Sequence, residues 1–415
     1  HENAMSNAIY PLLSRLQKEY RVDIYAENPN LDLPLEEEVP GYHIYRNAEP
    51  YHGIHKKTAL LLYKLHQIVN TDIRCISKKN AIILIKILRV LVGGWARNSK
   101  KYIHPEQLMN LHSYDAVISI SSPIINQSIA LDLYKKGIFK TRKCIWISYF
   151  LDPFATYIGN VNNSRFDEMM AFETDVYRYS DLIITSPEIK EDNHNYPTSL
   201  FDCKVKSIQL ATLDFHRSYE YNPYPYSPSK INCFFAGSFF DIRVRNPKRM
   251  FEIISQFDES IQIYIACYLE CTEVKKMRLH YCDGKNNIHW LGRVDMKRCF
   301  EMMKGADVLI NVGNKSSNQT PSKIFDYISF GKPIINFYSI SNDTSVKYTR
   351  DYPSILNLDN NEFDIAKQIK LTDEFIKQSK DIKIDIQQLE KEFNQYESGS
   401  IANEFANLIH DIMKQ

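Results

Sequence analysis

Short apolar runs recur along this chain, and helical patterns fill the intervals between them. In the first half the runs are "VDIYAE", "AVISIS", "KCIWISYF", "DLIITS" and "VKSIQLA". In the second half they are "INCFFAG", "IQIYIACY", "NIHWLG", "DVLINV", "PIINFY" and "SILNL". Each run is continuous rather than alternating, as a strand covered on both faces of a parallel sheet requires. Residues 165–179 illustrate the helical intervals. The rhythm stops near residue 213 at "DFHRSYEYNPYPYSPSK", whose Tyr, Pro and Ser content reads as a linker, and then restarts. The pattern therefore predicts an α/β protein with two doubly wound parallel sheets facing a cleft. The expected boundaries are 1–212 for the first domain, 213–229 for the linker, 230–385 for the second domain and 386–415 for a C-terminal helical segment. That last segment contains "SGSIANEFANLIHDIMKQ", an amphipathic helix with a Ser-rich start. The chain opens on "HENAMSNAIYPLLSRLQKEY", already helical in pattern. Because α/β domains usually start with a strand, a first strand and its loop are expected to be missing ahead of it.

Composition narrows the function classes. A length of 415 residues suits two ordinary domains rather than one core. Hydrophobic residues at 44% and charged residues at 24% describe a globular chain. A net charge of +1 excludes a nucleic-acid binder held by bulk electrostatics, so any anion site must be local. The 27 tyrosines and 21 phenylalanines suit stacking against sugar rings. The eight cysteines are scattered and no signal peptide opens the chain, which points to a reducing cytoplasm. Cys267, Cys271 and Cys282 with His280 match no standard zinc spacing and are read as buried thiols, with no metal expected. The long apolar run Asn80–Trp95 is shorter than the ~20 residues of a membrane span and carries Lys86 and Arg89. It reads as a buried helix; a helix resting on a membrane surface, flanked by Arg97, Lys100 and Lys101, is the alternative.

One stretch carries the strongest chemical signal: "NQTPSKIFDYISFGKPII", residues 318–335, set between two buried strands. Thr320 is a good helix N-cap, Pro321 fits the first helical position, and Ser322 and Lys323 follow in the first turn. Free backbone N–H groups there, with a hydroxyl and an ammonium, suit an anion at the carboxyl edge of a parallel sheet. At 100° per residue Ile324, Phe325 and Ile328 point one way, while Lys323, Asp326 and Tyr327 point toward a cleft. A carboxylate at Asp326 suits a ribose diol, so the combination suggests a nucleoside diphosphate. The competing reading is structural: Thr-Pro-Ser caps the helix and Asp326 pairs with Lys323 at i,i+3.

Two further strand ends favour the ligand reading. "FFAGSFFDIRVRNPKRM" puts Gly237 and Ser238 at a strand end, ahead of a loop with Arg243 and Arg245. Glycine permits close backbone approach, and an arginine there can clamp a pyrophosphate. "NIHWLGRVD" ends another strand with Gly292 and Arg293, leaving backbone groups free for a base edge.

With these residues in place, the second half resembles the donor-binding domain of GT-B fold glycosyltransferases, of the retaining group with a Glu-x7-Glu motif (glycosyltransferase family 4-like). The resemblance covers most of residues 230–380 and extends more loosely to the first half. It implies two Rossmann-like domains of GT-B type. Asp326 falls where that family's second Glu contacts ribose, and Asn318 falls where its first Glu would stand, a departure from the pattern. Arg245 occupies roughly the place of the diphosphate-binding basic residue, with Arg243 as the alternative in the same loop. In the first half, "WISYFLDPF" resembles the strand end where these enzymes carry a His or Asp beside the transferring sugar, which here is Asp152. Ser121 and Ser122 end a neighbouring strand and face the same cleft. His52 and His55 are read as surface histidines, with contact to the acceptor as the alternative, and Glu173 as solvated or paired.

The resulting expectation is a cytoplasmic, metal-independent glycosyltransferase of bacterial surface-polysaccharide assembly, without cofactor. It would use a nucleotide-diphosphate sugar and a saccharide or lipid-linked acceptor held mainly by the first domain, with contact to the inner membrane face as one option. Asp152, Arg245 and Lys323 are the expected catalytic residues. Donor binding is assigned to Gly237, Ser238, Arg243, Gly292, Arg293, Asn318, Ser322 and Asp326. The alternatives are a nucleotide-sugar epimerase of the same fold and a non-catalytic glycosyltransferase-like binding subunit.

Overall fold

The computed structural model describes residues 4–26, 36–46, 114–121, 124–158, 160, 164–191, 204–210, 212–380 and 382–414. The chain divides into two compact units. One joins His1–Arg15, Ala116–Gln127 and Ile145–Gln415; the other joins Leu16–Asp115 and Ser128–Cys144.

The smaller unit holds a three-stranded sheet of β1 (Val22–Ala26), β2 (Glu36–Val39) and β3 (Tyr42–Arg46), in the order β1-β3-β2. The first of these is "VDIYAE", expected in the large parallel sheet of the first half. It pairs instead in parallel with β3, which turns back antiparallel onto β2. The hairpin escapes a sequence reading because Glu36, Glu37 and Glu38 are poor strand formers. The Tyr114 hydroxyl donates to the Asp23 carboxylate at 2.9 Å and ties this sheet to the chain that follows.

The larger unit contains two all-parallel sheets. The first comprises β4 (Ala116–Ser121), β5 (Ile145–Phe150), β6 (Leu182–Thr185) and β7 (Val205–Ser207), in sequence order. The second comprises β8 (Ile231–Phe239), β9 (Ile261–Glu270), β10 (Ile288–Trp290), β11 (Val308–Val312), β12 (Ile334–Tyr338) and β13 (Ile355–Asp359). Its order, β10-β9-β8-β11-β12-β13, is that of a dinucleotide-binding sheet: it grows outward one way from β8 and the other way from β11. Both faces are covered. Ile231, Cys233 and Phe235 of β8 join one apolar cluster, while Phe234 and Ala236 join another. That double burial is why the strands read as unbroken apolar runs.

One row of polar side chains crosses half of this sheet. Asn311, Asn336 and Asn357 lie in register across β11, β12 and β13 and bond side chain to side chain at 2.7 and 2.8 Å. The Ser345 hydroxyl donates to the same Asn336 at 3.0 Å, which anchors the Thr344–Tyr348 helix to the sheet. The C-terminal helix, Ser398–Met413, is capped by the Glu397 carboxylate rather than by a serine. It buries Ile401, Ala402, Phe405, Ala406 and Ile409, and Phe405 lies 5.7 Å from the ring of Tyr149 on β5.

Candidate functional site

Strand order reverses between β8 and β11, the switch point at which open α/β sheets bind ligands, and the loops after these two strands meet there, with the Lys315 amide donating to the Val244 carbonyl at 2.7 Å. Both loops supply a polar side chain to this point. Arg245, after β8, donates from Nε and a terminal nitrogen to Asn314 Oδ1 after β11, at 3.2 and 3.0 Å. Burial pulls the Arg245 guanidinium below its usual range. Gly237 explains how the arginine gets there. A Cβ on Gly237 would meet the Phe235 ring at 2.9 Å and the Arg245 guanidinium at 3.3 Å. Arg243 behaves differently: it is exposed and forked onto Asp241, at 2.6 Å for the shortest contact. Of the two arginines in the loop, only Arg245 reaches the switch point. Ser238 sits partly buried beside Gly237 at the end of β8.

The β11 loop then runs toward the end of β5. Asn314 Nδ2 donates to the Gln319 carbonyl at 2.8 Å, folding the loop back on itself. The Gln319 side chain donates to Asp152 Oδ1 at 2.9 Å, and Asn318 Nδ2 donates to the Thr156 carbonyl at 3.3 Å. Asp152 and the β11 loop are thus directly joined. Burial pushes the Asp152 carboxyl above the ordinary range, and the Gln319 amide opposes that shift. Tyr157, five residues on, has its phenol pushed up to about 12, by burial first and then by Asp241 and Asp152, with Arg243 and Arg245 acting the other way. A raised carboxyl pKa stabilises the fold below the ordinary value of 3.8; that contribution is lost as pH rises through the folded value. The ionised form is held at some expense, as working groups often are. Gln319→Leu removes the opposing donor, so the acid limb of the activity profile should move to higher pH. An unmoved limb in that variant would detach Asp152 from the titration.

The motif helix spans Lys323–Ser329, with Ser322 in the cap position and no side-chain cap bond. Thr320, expected as the cap, is instead buried with its hydroxyl unpartnered. The helix starts later than the Thr-Pro signal indicates because the Pro321 and Ser322 carbonyls take their bonds from Ile324 and Phe325 in a tight first turn. Asp326 is buried, and both its oxygens are engaged. One accepts from Arg217, the other from Lys323 at 2.8 Å. The i,i+3 pair anticipated as the structural reading is therefore formed. Burial lowers the Lys323 pKa, but Asp326 and Cys299 together raise it and the net shift is upward. Lys323 and Arg217 both lie over the Phe300 ring, at 5.5 and 5.0 Å.

At the far side, Gly292 follows β10 with φ +68°, a left-handed turn that glycine adopts without strain. It carries Arg293 over the exposed Tyr268 ring at 4.8 Å. Ser121 is buried at the end of β4, and Glu173 is fully buried, accepting from Ala155 N and the Tyr177 hydroxyl at 2.9 and 3.1 Å. Ser122, His52, His55 and the Asn80–Trp95 run lie outside the described residues. Among the described residues no helix is long and apolar enough to cross a membrane, and no three metal-ligating side chains cluster. Cys267 and Cys282 are buried and Cys271 is partly exposed.

Several participants carried no sequence signal. Gln319 and Asn314 are ordinary loop amides until the fold joins them to Asp152 and Arg245. Arg217 belongs to the stretch expected as linker, and only its reach to Asp326 reveals it.

No protein-family model and no curated protein matches the chain. Solved structures do. An E. coli structure described as trehalose-6-phosphate bound with UDP-2-fluoro glucose superposes with a TM-score of 0.57 at 10% identity, covering 100% of this chain and 96% of that one. The catalytic domain of Arabidopsis thaliana starch synthase IV, bound to ADP and acarbose, gives 0.57 at 8% identity, covering 100% and 97%. Anabaena HepE in complex with UDP and glucose gives 0.54 at 10% identity, covering 97% and 96%. The fold of this chain is that of GT-B glycosyltransferases.

Proposed function

We propose that the chain is a glycosyltransferase that moves a sugar from a nucleotide-diphosphate donor to a saccharide or lipid-linked acceptor. The observation that carries this reading is the clasp of Arg245 on Asn314 at the β8/β11 switch point, continued through Gln319 to Asp152. A diphosphate placed there meets the Arg245 guanidinium. The base lies toward Gly292 and Arg293, and the ribose toward Asp326. Neighbouring folds bind UDP or ADP in their solved complexes, which supports the same class of donor here.

Transfer with retention is what the family resemblance implies. The bond between the anomeric carbon and the phosphate oxygen breaks, and the acceptor oxygen bonds to that carbon on the same face. The acceptor's proton passes to the departing phosphate. No strong protein base is then required, and the protein's task is charge stabilisation. Arg245 and Lys323 supply positive charge to the leaving diphosphate in place of a metal or cofactor. Asp152 stands where positive charge develops on the sugar. The reading extends to the family 4-like retaining group, to hexosyl or N-acetylhexosaminyl transfer, and to bacterial surface-polysaccharide assembly at the cytoplasmic side.

A thermal-shift panel of nucleoside diphosphates and their sugars tests it. A rise in Tm with one base series, followed by acceptor-dependent release of the diphosphate, is expected. Conversion of the donor sugar without acceptor would instead make the chain an epimerase. Donor binding with no turnover at all would make it a binding subunit, which Asn318 in place of a carboxylate favours.

Asp326→Asn separates the two roles written into the motif helix. Loss of the charge should weaken nucleoside-diphosphate affinity by about 1.5–3 kcal/mol, the scale of a charged hydrogen bond, and should also lower Tm, because Lys323 and Arg217 lose their shared buried partner. A fall in Tm with affinity intact would confine Asp326 to its pairs with Lys323 and Arg217.

A further inference from the structure

A cavity of about 580 Å³ opens beside the β11 loop, within the range of small-molecule sites. Its wall is formed by the Pro187–Glu191 helix, by Ser317, and by the chain from Ser341 to Arg350. Among the described residues Val346 is the only apolar one in that wall. The rest are hydroxyls, an amide, carboxylates and two cations, a lining that suits a ligand rich in polar groups.

Charge excludes one class of ligand. Lys347 lies 3.1 Å from Glu191 and 3.8 Å from Glu188, so one cation serves two carboxylates. Asp343 adds a third acid, held above its ordinary pKa by burial. Arg350 and Lys347 together do not exceed these acids, so the wall presents no positive field for a phosphate. The diphosphate belongs with Arg245 instead.

What remains suits a polyol. A sugar hydroxyl both donates and accepts. The wall offers acceptors in Glu191 and donors in Asn342 and Arg350. The last two are exposed and make no side-chain hydrogen bond or ion pair among the described residues. The rigid frame is already present. Asp343 Oδ1 accepts from the Ser345 amide at 2.8 Å, and Ser345 is pinned to the Asn336 row. The cavity also adjoins the reacting centre. Ser317 in its wall precedes Asn318 and Gln319, and Gln319 holds Asp152.

We propose that this cavity seats the acceptor and takes a neutral saccharide by its hydroxyls, an assignment that rests on the glycosyltransferase reading. Glu191 accepts from the sugar, while Asn342 and Arg350 donate to it. The specificity of the enzyme for its acceptor then resides partly in the Ser341–Arg350 segment.

Saturation-transfer NMR on the full chain, in the presence of UDP, provides the test with maltose, cellobiose and lactose as neutral probes and glucose 6-phosphate as the charged one. At least one disaccharide should bind and outcompete glucose 6-phosphate. The double variant Asn342→Ala with Arg350→Ala should bind that disaccharide at least ~tenfold more weakly. UDP affinity, read in parallel, should stay within about twofold of wild type, a small fraction of the tenfold scale set by 1.4 kcal/mol. UDP binding with no disaccharide bound, equal disaccharide affinity in the variant, or preference for glucose 6-phosphate would each overturn the assignment. Disaccharide binding lost in the variant, in a chain that binds no nucleoside diphosphate of the thermal-shift panel, would keep the cavity and remove the donor reading.

Discussion

Asp152→Asn should bind nucleoside diphosphate with wild-type affinity while sugar transfer falls by roughly a hundredfold or more, the scale of one lost preorganised electrostatic contact. Asp152 follows β5, whereas the groups assigned to the nucleotide follow β8, β10 and β11. In the proposed mechanism the carboxylate held by Gln319 orients a sugar hydroxyl and faces the positive charge that grows at the anomeric carbon. That charge is larger in the transition state than in the ground state, so its loss lowers turnover more than donor affinity. The Asn side chain can keep a bond to Gln319, and removing an ionised buried acid does not destabilise the fold at neutral pH. Tm should therefore hold. Steady-state transfer assays with parallel calorimetry make the comparison. Equal transfer in variant and wild type would reduce "LDPF" to an ordinary turn.

Arg245→Ala should weaken nucleoside-diphosphate binding by about 1.5–3 kcal/mol, roughly tenfold to a hundredfold or more. The substitution removes the charge at the switch point and leaves buried Asn314 Oδ1 without its donor. Some loss of Tm is expected from that orphaned acceptor. Arg245→Lys distinguishes the two effects, since it restores charge without the two-pronged contact. Calorimetry should rank wild type above Lys and Lys above Ala for the diphosphate, with the bare nucleoside bound equally by all three. Arg243→Ala is the matched control, because Arg243 is spent on Asp241 at the surface. Equal diphosphate affinity in wild type and Arg245→Ala would withdraw the phosphate assignment.

Much of the fold was legible because a parallel sheet buried on both faces imposes continuous apolar runs. All eleven runs read from the sequence became strands. The β2–β3 hairpin was not legible, since its acidic strand has neither alternation nor propensity, and it captured β1 into a separate sheet. At the site, charged residues at strand ends could be named in advance, but their partners could not. Nothing local distinguishes Arg245 from Arg243; the distinction arises when Asn314 arrives from a strand far along the chain. Thr320 shows the converse. Its local cap signal was sound, yet the next turn closed without it. Asp326 drew the right neighbour from spacing, Lys323, and a second one, Arg217, that no spacing rule connects to it.

The measurement that bears most directly on the central claim is a diffraction structure of the chain with a bound nucleoside diphosphate. The diphosphate oxygens should lie within hydrogen-bond distance of the Arg245 guanidinium, outside the carboxyl ends of β8 and β11, with the base toward Gly292 and Arg293. A diphosphate bound elsewhere, with Arg245 still turned only to Asn314, would contradict the account.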